Sequence, residues 1–501
     1  MNNHLISLMV LLPLLGAIAQ AFLPSFPGEG KDRVSRWLAI SASIASSFCG
    51  LVLVLSMASE TAELQAAERF TWIGSYAITY EMGLDGLNVL LVLLVSIVFP
   101  VLIASEWNRA IGAKGMFSLF LLLQTSFAGA VCAQDLFLLF FFWALSSLPF
   151  YFLIGIWGGE ERESAAFRTI TTAAFGNALL FVSLILVYYS VEPHSFSIRD
   201  LAGTALNGKF ISVFGSDVPI SGLAFGLAGA GLALRAAVWP AHAWFTHAAR
   251  EAPASVFVAL SAVTIPVAIY IFMRLSYTLF PDTLLAAASG IVAIGALNLL
   301  IGGISAAAQG DLRMLGAYLC MGQAGLVLIG VGSLDSAGVV GAVYQNLALG
   351  LGLAGFGLFA GLMSERLGHS RFLESGGGGL ALRGPMIALV AGIFVASLLA
   401  LPGFGGFIGH ALIVIGSYPA HPAAVLVALA ALLLATYYLF IMYRLLFLGK
   451  QNGAGSFTDL SLRERAYLFP LVAGIVLCGM YPKPLLELVR PTVLTLLSAM
   501  K

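Results

Sequence analysis

Runs of about twenty apolar residues recur from one end of this chain to the other, and a run of that length is what a helix needs to cross a bilayer. Windows of this kind fall near Leu14, Ser47, Leu94, Gln124, Ser147, Ala178, Leu232, Thr264, Gly295, Gln323, Gly350, Ala400, Ala435 and Gly474. They predict an all-α polytopic membrane protein with about fourteen transmembrane helices. Composition agrees, since 60% of the 501 residues are hydrophobic and 10% are charged. Catalysis in a soluble domain is excluded on the same grounds. The first run, Leu5 to Leu23, has no basic flank before it and no small-residue cleavage site, so it reads as a retained span.

Charge balance removes other classes of function. Basic and acidic residues number 24 each, which leaves no excess to attract nucleic acid. Cys49, Cys132, Cys320 and Cys478 lie far apart without a paired-cysteine or Cys/His pattern, so they read as packed thiols, and no cofactor or metal is expected on this chain. Counting basic residues by loop parity gives a consistent bias. Loops after odd-numbered spans hold Lys31, Arg33, Arg36, Arg109, Lys114 and others through Lys450 and Arg465, whereas the opposite face holds Arg69, Arg199, Lys209, Arg274, Lys483, Arg490 and Lys501. The positive-inside rule then places both termini on the non-cytoplasmic side of a prokaryotic cytoplasmic membrane.

Two spans contain helix breakers. Pro240 interrupts the seventh, and Pro402 with Gly403 interrupts the twelfth within "LPGFGGFIGH". An odd separation of five spans reverses orientation, so spans four to eight and nine to thirteen can form two inverted five-helix repeats, each with one broken helix. Two independent proline kinks are the simpler alternative. The repeat reading divides the chain into 1–112, 113–276, 277–450 and 451–501.

Five stretches carry a resemblance: "GLDGLNVLLVLL" (83–94), "PFYFLIGIWGG" (149–159), "WPAHAWFTHAAREAP" (239–253), "GDLRMLGAY" (310–318) and "LPGFGGFIGH" (401–410). In this order they resemble the antiporter-like membrane subunits of respiratory complex I, NADH:quinone oxidoreductase, and most of all its M-type chain. The resemblance implies a proton-translocating membrane-arm subunit surrounded by homologous antiporter-like subunits and lipid, with redox chemistry on other chains. It also implies a mid-membrane polar axis: Glu on the fifth helix, Lys on the seventh and eighth, His on the tenth and eleventh, and an acid or Lys on the twelfth.

This chain departs from that pattern at nearly every axial position. Ala144 stands where the fifth-helix Glu is expected, Arg235 at the seventh-helix Lys, Pro266 near the eighth-helix Lys, Gln323 at the tenth-helix His, Leu349 near the eleventh-helix His, and His410 on the twelfth helix. Arginine stays protonated where lysine can release its proton. Candidates for a surviving proton or water path are Arg235, His242, His247, Gln323, Gln345, Asn346 and His410. For His410 a relay and a hydrogen-bonded core histidine both remain open. For His247, Arg250 and Glu251 the alternatives are a proton entry and a solvated turn with a local ion pair. Arg235 needs a partner, for which break carbonyls, Gln or Asn side chains, cavity water or a neighbouring subunit's acid are the candidates. The whole chain therefore reads either as a conducting subunit or as a structural one, and the resemblance extends to multisubunit cation/proton antiporters, membrane-bound hydrogenases and inorganic-carbon uptake complexes.

Overall fold

The computed structural model describes residues 4–23, 29–108, 112–202, 206, 208–213, 216–374, 378–449 and 457–500. The side chains of Lys31, Arg109, Lys450 and Lys501, which enter the charge bias, lie outside the described residues, as do the two chain ends. The chain runs through α1 (Leu5–Phe22), α2 (Glu29–Ser56), a hairpin of β1 (Gln65–Ile73) and β2 (Ile78–Leu84), α3 (Val89–Ser105) and α4 (Ala113–Cys132). It continues through α5 (Leu136–Leu145), α6 (Ser147–Trp157), α7 (Arg162–Ser190), the single turn α8 (Ile198–Leu201), a second hairpin of β3 (Phe210–Val213) and β4 (Ser216–Pro219), α9 (Ile220–Arg235) and α10 (Ala243–Glu251). Then follow α11 (Ala254–Val258), α12 (Ile265–Leu279), α13 (Pro281–Ala307), α14 (Leu312–Gly332), α15 (Ser336–Leu367), α16 (Pro385–Leu398), α17 (Gly405–Ser417), α18 (Pro422–Phe447), α19 (Leu462–Met480) and α20 (Lys483–Ser498).

Among the described residues ten helical spans are long and apolar enough to cross a membrane, or eleven if the bent pair α19–α20 counts as one. The remaining windows fall on shorter apolar helices, namely α3, α9, α16 and α17. Three of these four flank the proline breaks, because a proline removes an amide donor and crowds the preceding turn. Two β-hairpins and the 71° bend before α20 have no counterpart in the sequence reading, since short polar connections carry no twenty-residue signal. Spans α14, α15 and α11–α12 are almost wholly buried, whereas α1, α7 and α18 leave most of their length uncovered. The apolar side chains left outside, such as Leu15, Phe167 and Leu433, suit contact with lipid or with other apolar helices.

Buried polar contacts fasten the helix ends. Asp135 caps α5 by accepting from the amides of Phe137 and Leu138, and Asp311 caps α14 by accepting from those of Arg313 and Met314. Each cap sits beside a two-bond bridge to a later loop. Leu136 donates to the Phe196 carbonyl and Ile198 to that of Gln134, both at 2.8 Å; Leu312 donates to Ser370 and Phe372 to Gly310, both at 3.0 Å. Three buried tyrosines donate to carbonyls near the ends of other helices: Tyr270 to Val131, Tyr277 to Val331 and Tyr344 to Cys478.

Pro266 is accommodated by a π-helical segment, Ala259–Thr264, just before it. A proline in a continuous α-helix clashes with the carbonyl four residues earlier, and widening the preceding turn relieves that clash.

Candidate functional site

The two expected breaks end their helices in the same way. After α9, Ala237 turns to φ 52° and Val238 donates to the Ala233 carbonyl at 3.0 Å; after α16, Ala400 turns to φ 53° and Leu401 donates to Ala396 at 3.0 Å. A left-handed residue followed by a bond back five positions closes a helix C-terminus, normally with glycine at the left-handed place. Pro240 and Pro402 follow and prevent resumption of the helix. Gly403, at φ 93°, takes the next turn, which favours glycine. Backbone groups freed at the first break find partners in the protein. The Trp244 indole donates to the Leu234 carbonyl at 2.7 Å, and the Trp239 amide donates to Asn298 Oδ1 at 2.8 Å.

Arg235 is the last residue of α9, and its partners come from an irregular turn at Ser146 inside the span Leu136–Trp157. The fifth span is two helices, α5 and α6, meeting at Ser146. Arg235 Nη1 donates to Ser147 Oγ at 2.6 Å and Nη2 to Ser146 Oγ at 2.8 Å, while the guanidinium carbon lies 4.4 Å from the centre of the Trp143 ring. Asn177 of α7 donates to the same Ser147 hydroxyl at 3.2 Å. Among the described residues neither a break carbonyl nor a Gln or Asn side chain bonds the guanidinium, and the hydroxyls at the α5–α6 junction take that place. The C-terminal end of α9 carries it, where the helix dipole favours positive charge. Among the described residues it forms no ion pair, and Arg235, Ser146, Ser147 and Trp143 are all buried. Ala144 sits in the last turn of α5 and contributes no side-chain polar group to the cluster.

The second half brings some of its candidates together and separates others. His410, buried on α17, is hydrogen-bonded through Nδ1 to the Gly406 carbonyl at 2.7 Å, and its Nε2 has no partner. Gln345 lies against Gly409: a Cβ there would come within 2.2 Å of Gln345 Oε1, so the glycine is what lets α17 approach α15. Asn346 and Leu349 are buried on the same helix. Gln323 lies apart from this group. Its side chain lines a small cavity of about 10 Å³ between α13, α14 and α18, together with Tyr438. Gln323 Oε1, Gln345 Oε1, Asn346 Oδ1 and Tyr438 Oη are all buried without a hydrogen-bond partner, and no hydrogen bond joins Gln323 to His410.

At the start of α10, His242 keeps a buried Nδ1 without a partner and lies 6.3 Å, ring to ring, from Tyr318. His247 faces Glu161 at 3.7 Å rather than Glu251. Glu251 instead accepts from the Glu161 amide at 3.0 Å, which ties the end of α10 to the turn before α7. Arg250 is exposed. The pairing of His247 is thus shifted from its own turn to the loop before α7.

The most fully formed buried ion pair was missed because its members look like span-end residues in sequence. Arg274 of α12 meets Asp85 in two bonds, Nη1 to Oδ2 at 2.5 Å and Nη2 to Oδ1 at 2.8 Å, with both side chains nearly inaccessible. Asn88 braces the same turn by donating to the carbonyls of Gly83 and Val131. The polar residues inside "GLDGLN" were the signal available. Among the described residues no Asp, Glu or Lys lies in the middle of a membrane-crossing helix, and no cluster of three or more His, Cys, Asp or Glu is present.

Broken helices around buried polar groups, inside a bundle with apolar outer faces, define a polytopic membrane protein with discontinuous helices. Residues 133–436 match the transmembrane family described as NADH:quinone oxidoreductase/Mrp antiporter, and the chain belongs to that family. It is 29% identical to NADH-quinone oxidoreductase subunit M of Rhodobacter capsulatus, over 98% of this chain and 96% of that one. In three dimensions it is similar to a chain of respiratory complex I from Thermus thermophilus, with a TM-score of 0.85, 24% identity and coverage of 98% and 99%. It is equally similar to a chain of the Mrp complex from a Dietzia species, with a TM-score of 0.85, 19% identity and coverage of 99% and 98%.

Proposed function

We propose that this chain is an M-type antiporter-like subunit in the membrane arm of a NADH:quinone oxidoreductase, and that it serves mainly as a scaffold. The observation that carries the scaffold part is the content of its interior. Ala144, Pro266 and Leu349, the amide of Gln323, an arginine held by serines and the imidazole of His410 occupy the places where the resemblance puts Glu, Lys and His. Arginine holds its proton, and side-chain amides and alanine have none to exchange in this range. Water and His410 are what remain for conduction. The arm's other antiporter-like subunits and lipid are the partners that its uncovered apolar faces fit.

The architecture in this reading has fourteen crossings, with α5–α6, α9–α10, α16–α17 and α11–α12 each counted once, and both termini on the non-cytoplasmic side. Units 113–276 and 277–450 are inverted repeats flanked by 1–112 and 451–501. Two sets of counterparts support the repeat: the Asp135 and Asp311 caps with their two-bond bridges, and the Ala237 and Ala400 helix ends.

The alternative is a subunit of a multisubunit cation/proton antiporter, to which the fold is equally similar. A membrane-bound hydrogenase or an inorganic-carbon uptake complex belongs to the same alternative. Affinity purification of the tagged chain from gently solubilised native membranes separates them. Co-purification of flavin and iron–sulfur subunits with NADH oxidation supports the proposal; small membrane antiporter chains in their place support the alternative.

A further inference from the structure

Both breaks end their helices alike, but they differ in length. Three positions separate the left-handed Ala237 from Pro240, whereas two separate Ala400 from Pro402, so the first break contains one extra residue before its proline. The residue immediately before that proline, Trp239, has an amide that cannot be satisfied within its own helix end, because the bond back to Ala233 is already made by Val238. Leu401, the residue before the second proline, makes the equivalent bond itself, to Ala396. An amide without an acceptor inside a bilayer costs several kcal/mol.

Asn298 supplies the missing acceptor. It lies on α13, in the other half of the chain, and is fully buried. Its Oδ1 accepts from the Trp239 amide at 2.8 Å and its Nδ2 donates to the Met321 carbonyl of α14 at 2.7 Å. Met321 precedes Gln323 by two positions, so one side chain joins the first-half break to the segment that carries the Gln323 cavity. The site leaves no slack around it: a Cβ on Gly325 would fall 3.0 Å from the Asn298 Cβ and 2.4 Å from the Gly295 carbonyl. Asn298 is thus held against α14 by its bond to the Met321 carbonyl.

We infer that Asn298 is a positioning residue that latches the first-half helix break to α14 and so fixes the register between the two halves of the chain. The inference rests on the proposed function only in treating the two breaks as counterparts. Its test does not depend on whether the chain conducts protons or on which complex contains it.

Hydrogen exchange, followed by mass spectrometry on the purified native complex, reads the latch at the peptide spanning Trp239. Asn298→Leu is expected to speed exchange there about fivefold, the factor that corresponds to loss of one net hydrogen bond. Asn298→Asp, whose protonated carboxyl reproduces both the acceptor and the donor, is expected to keep exchange near that of the parent. Leu299→Ala disturbs α13 packing beside the latch without touching it, and is expected to leave the Trp239 peptide protected. Unchanged protection in Asn298→Leu, equal acceleration in Asn298→Asp, or equal acceleration in Leu299→Ala each overturns the inference.

Discussion

Ser147 Oγ receives the Arg235 guanidinium at 2.6 Å across 88 positions of sequence, joining the α5–α6 junction to the end of α9. The bond makes a buried cation part of the packing between the fifth span and the break after α9. Hydroxyl dipoles, an aromatic face and the C-terminus of α9 share the work that a carboxylate does in a buried ion pair.

That arrangement has an asymmetric response to substitution. Replacing Ser146 and Ser147 together with Ala strands the cation and is expected to destabilise the chain by about 3 kcal/mol, since bonds to charged groups are worth about 1.5–3 kcal/mol each and are not additive. Adding Arg235→Met to the double variant is expected to recover most of the loss, because removing both sides of a buried polar contact is close to neutral. Thermal unfolding in detergent, followed by tryptophan fluorescence, measures both.

Asp85 and Arg274 respond as a true ion pair. Asp85→Asn or Arg274→Met alone is expected to cost about 3–5 kcal/mol, because each leaves a buried charge without its partner. A double-mutant cycle should return a coupling energy of at least about 1 kcal/mol, as contacting residues do.

The positive-φ alanines offer a gain instead of a loss. An L-residue in the left-handed region costs about 1–2 kcal/mol, of which glycine's greater freedom in the unfolded chain takes back about half. Ala400→Gly is therefore expected to stabilise by about 0.5–1 kcal/mol, measured by the denaturant or thermal midpoint. Ala237→Gly is expected to act in the same direction.

Outside the membrane, Asp459 accepts from the amides of Met386, Ile387 and Leu460, and so caps α16 across the loop before α19. Burial raises its affinity for a proton, but those three amides and the charge of Arg465 outweigh it and hold the carboxyl below its usual range. A depressed carboxyl stabilises the fold above its unfolded pKa and loses that contribution as pH falls through its folded value. The gap in thermal midpoint between the parent and Asp459→Asn should be present at neutral pH and shrink as pH falls below about 4. A gap that does not change with pH contradicts this assignment.

Much of the bundle was legible because bilayer thickness imposes a length on each apolar run, and prolines mark where a helix stops. Pro240 and Pro402 therefore located the breaks after α9 and α16. The irregular turn at Ser146 is marked by Pro149, which cannot donate to the Leu145 carbonyl, but its serines look like ordinary small residues until Arg235 is placed against them. Asp85 and Arg274 are 189 positions apart, and each alone reads as a span-end charge. Their pairing depends on tertiary packing that no local pattern encodes. Pro266 was visible as an oddity, but its accommodation by a π-turn depends on backbone geometry.

The most direct test of the scaffold account is the proton-to-electron ratio of the assembled complex carrying His410→Ala, measured in vesicles together with turnover. The account predicts that both stay at the parent values, because the imidazole is a hydrogen-bonded part of the α17 packing. A clear fall in the ratio with assembly intact would contradict it and make His410 a proton carrier.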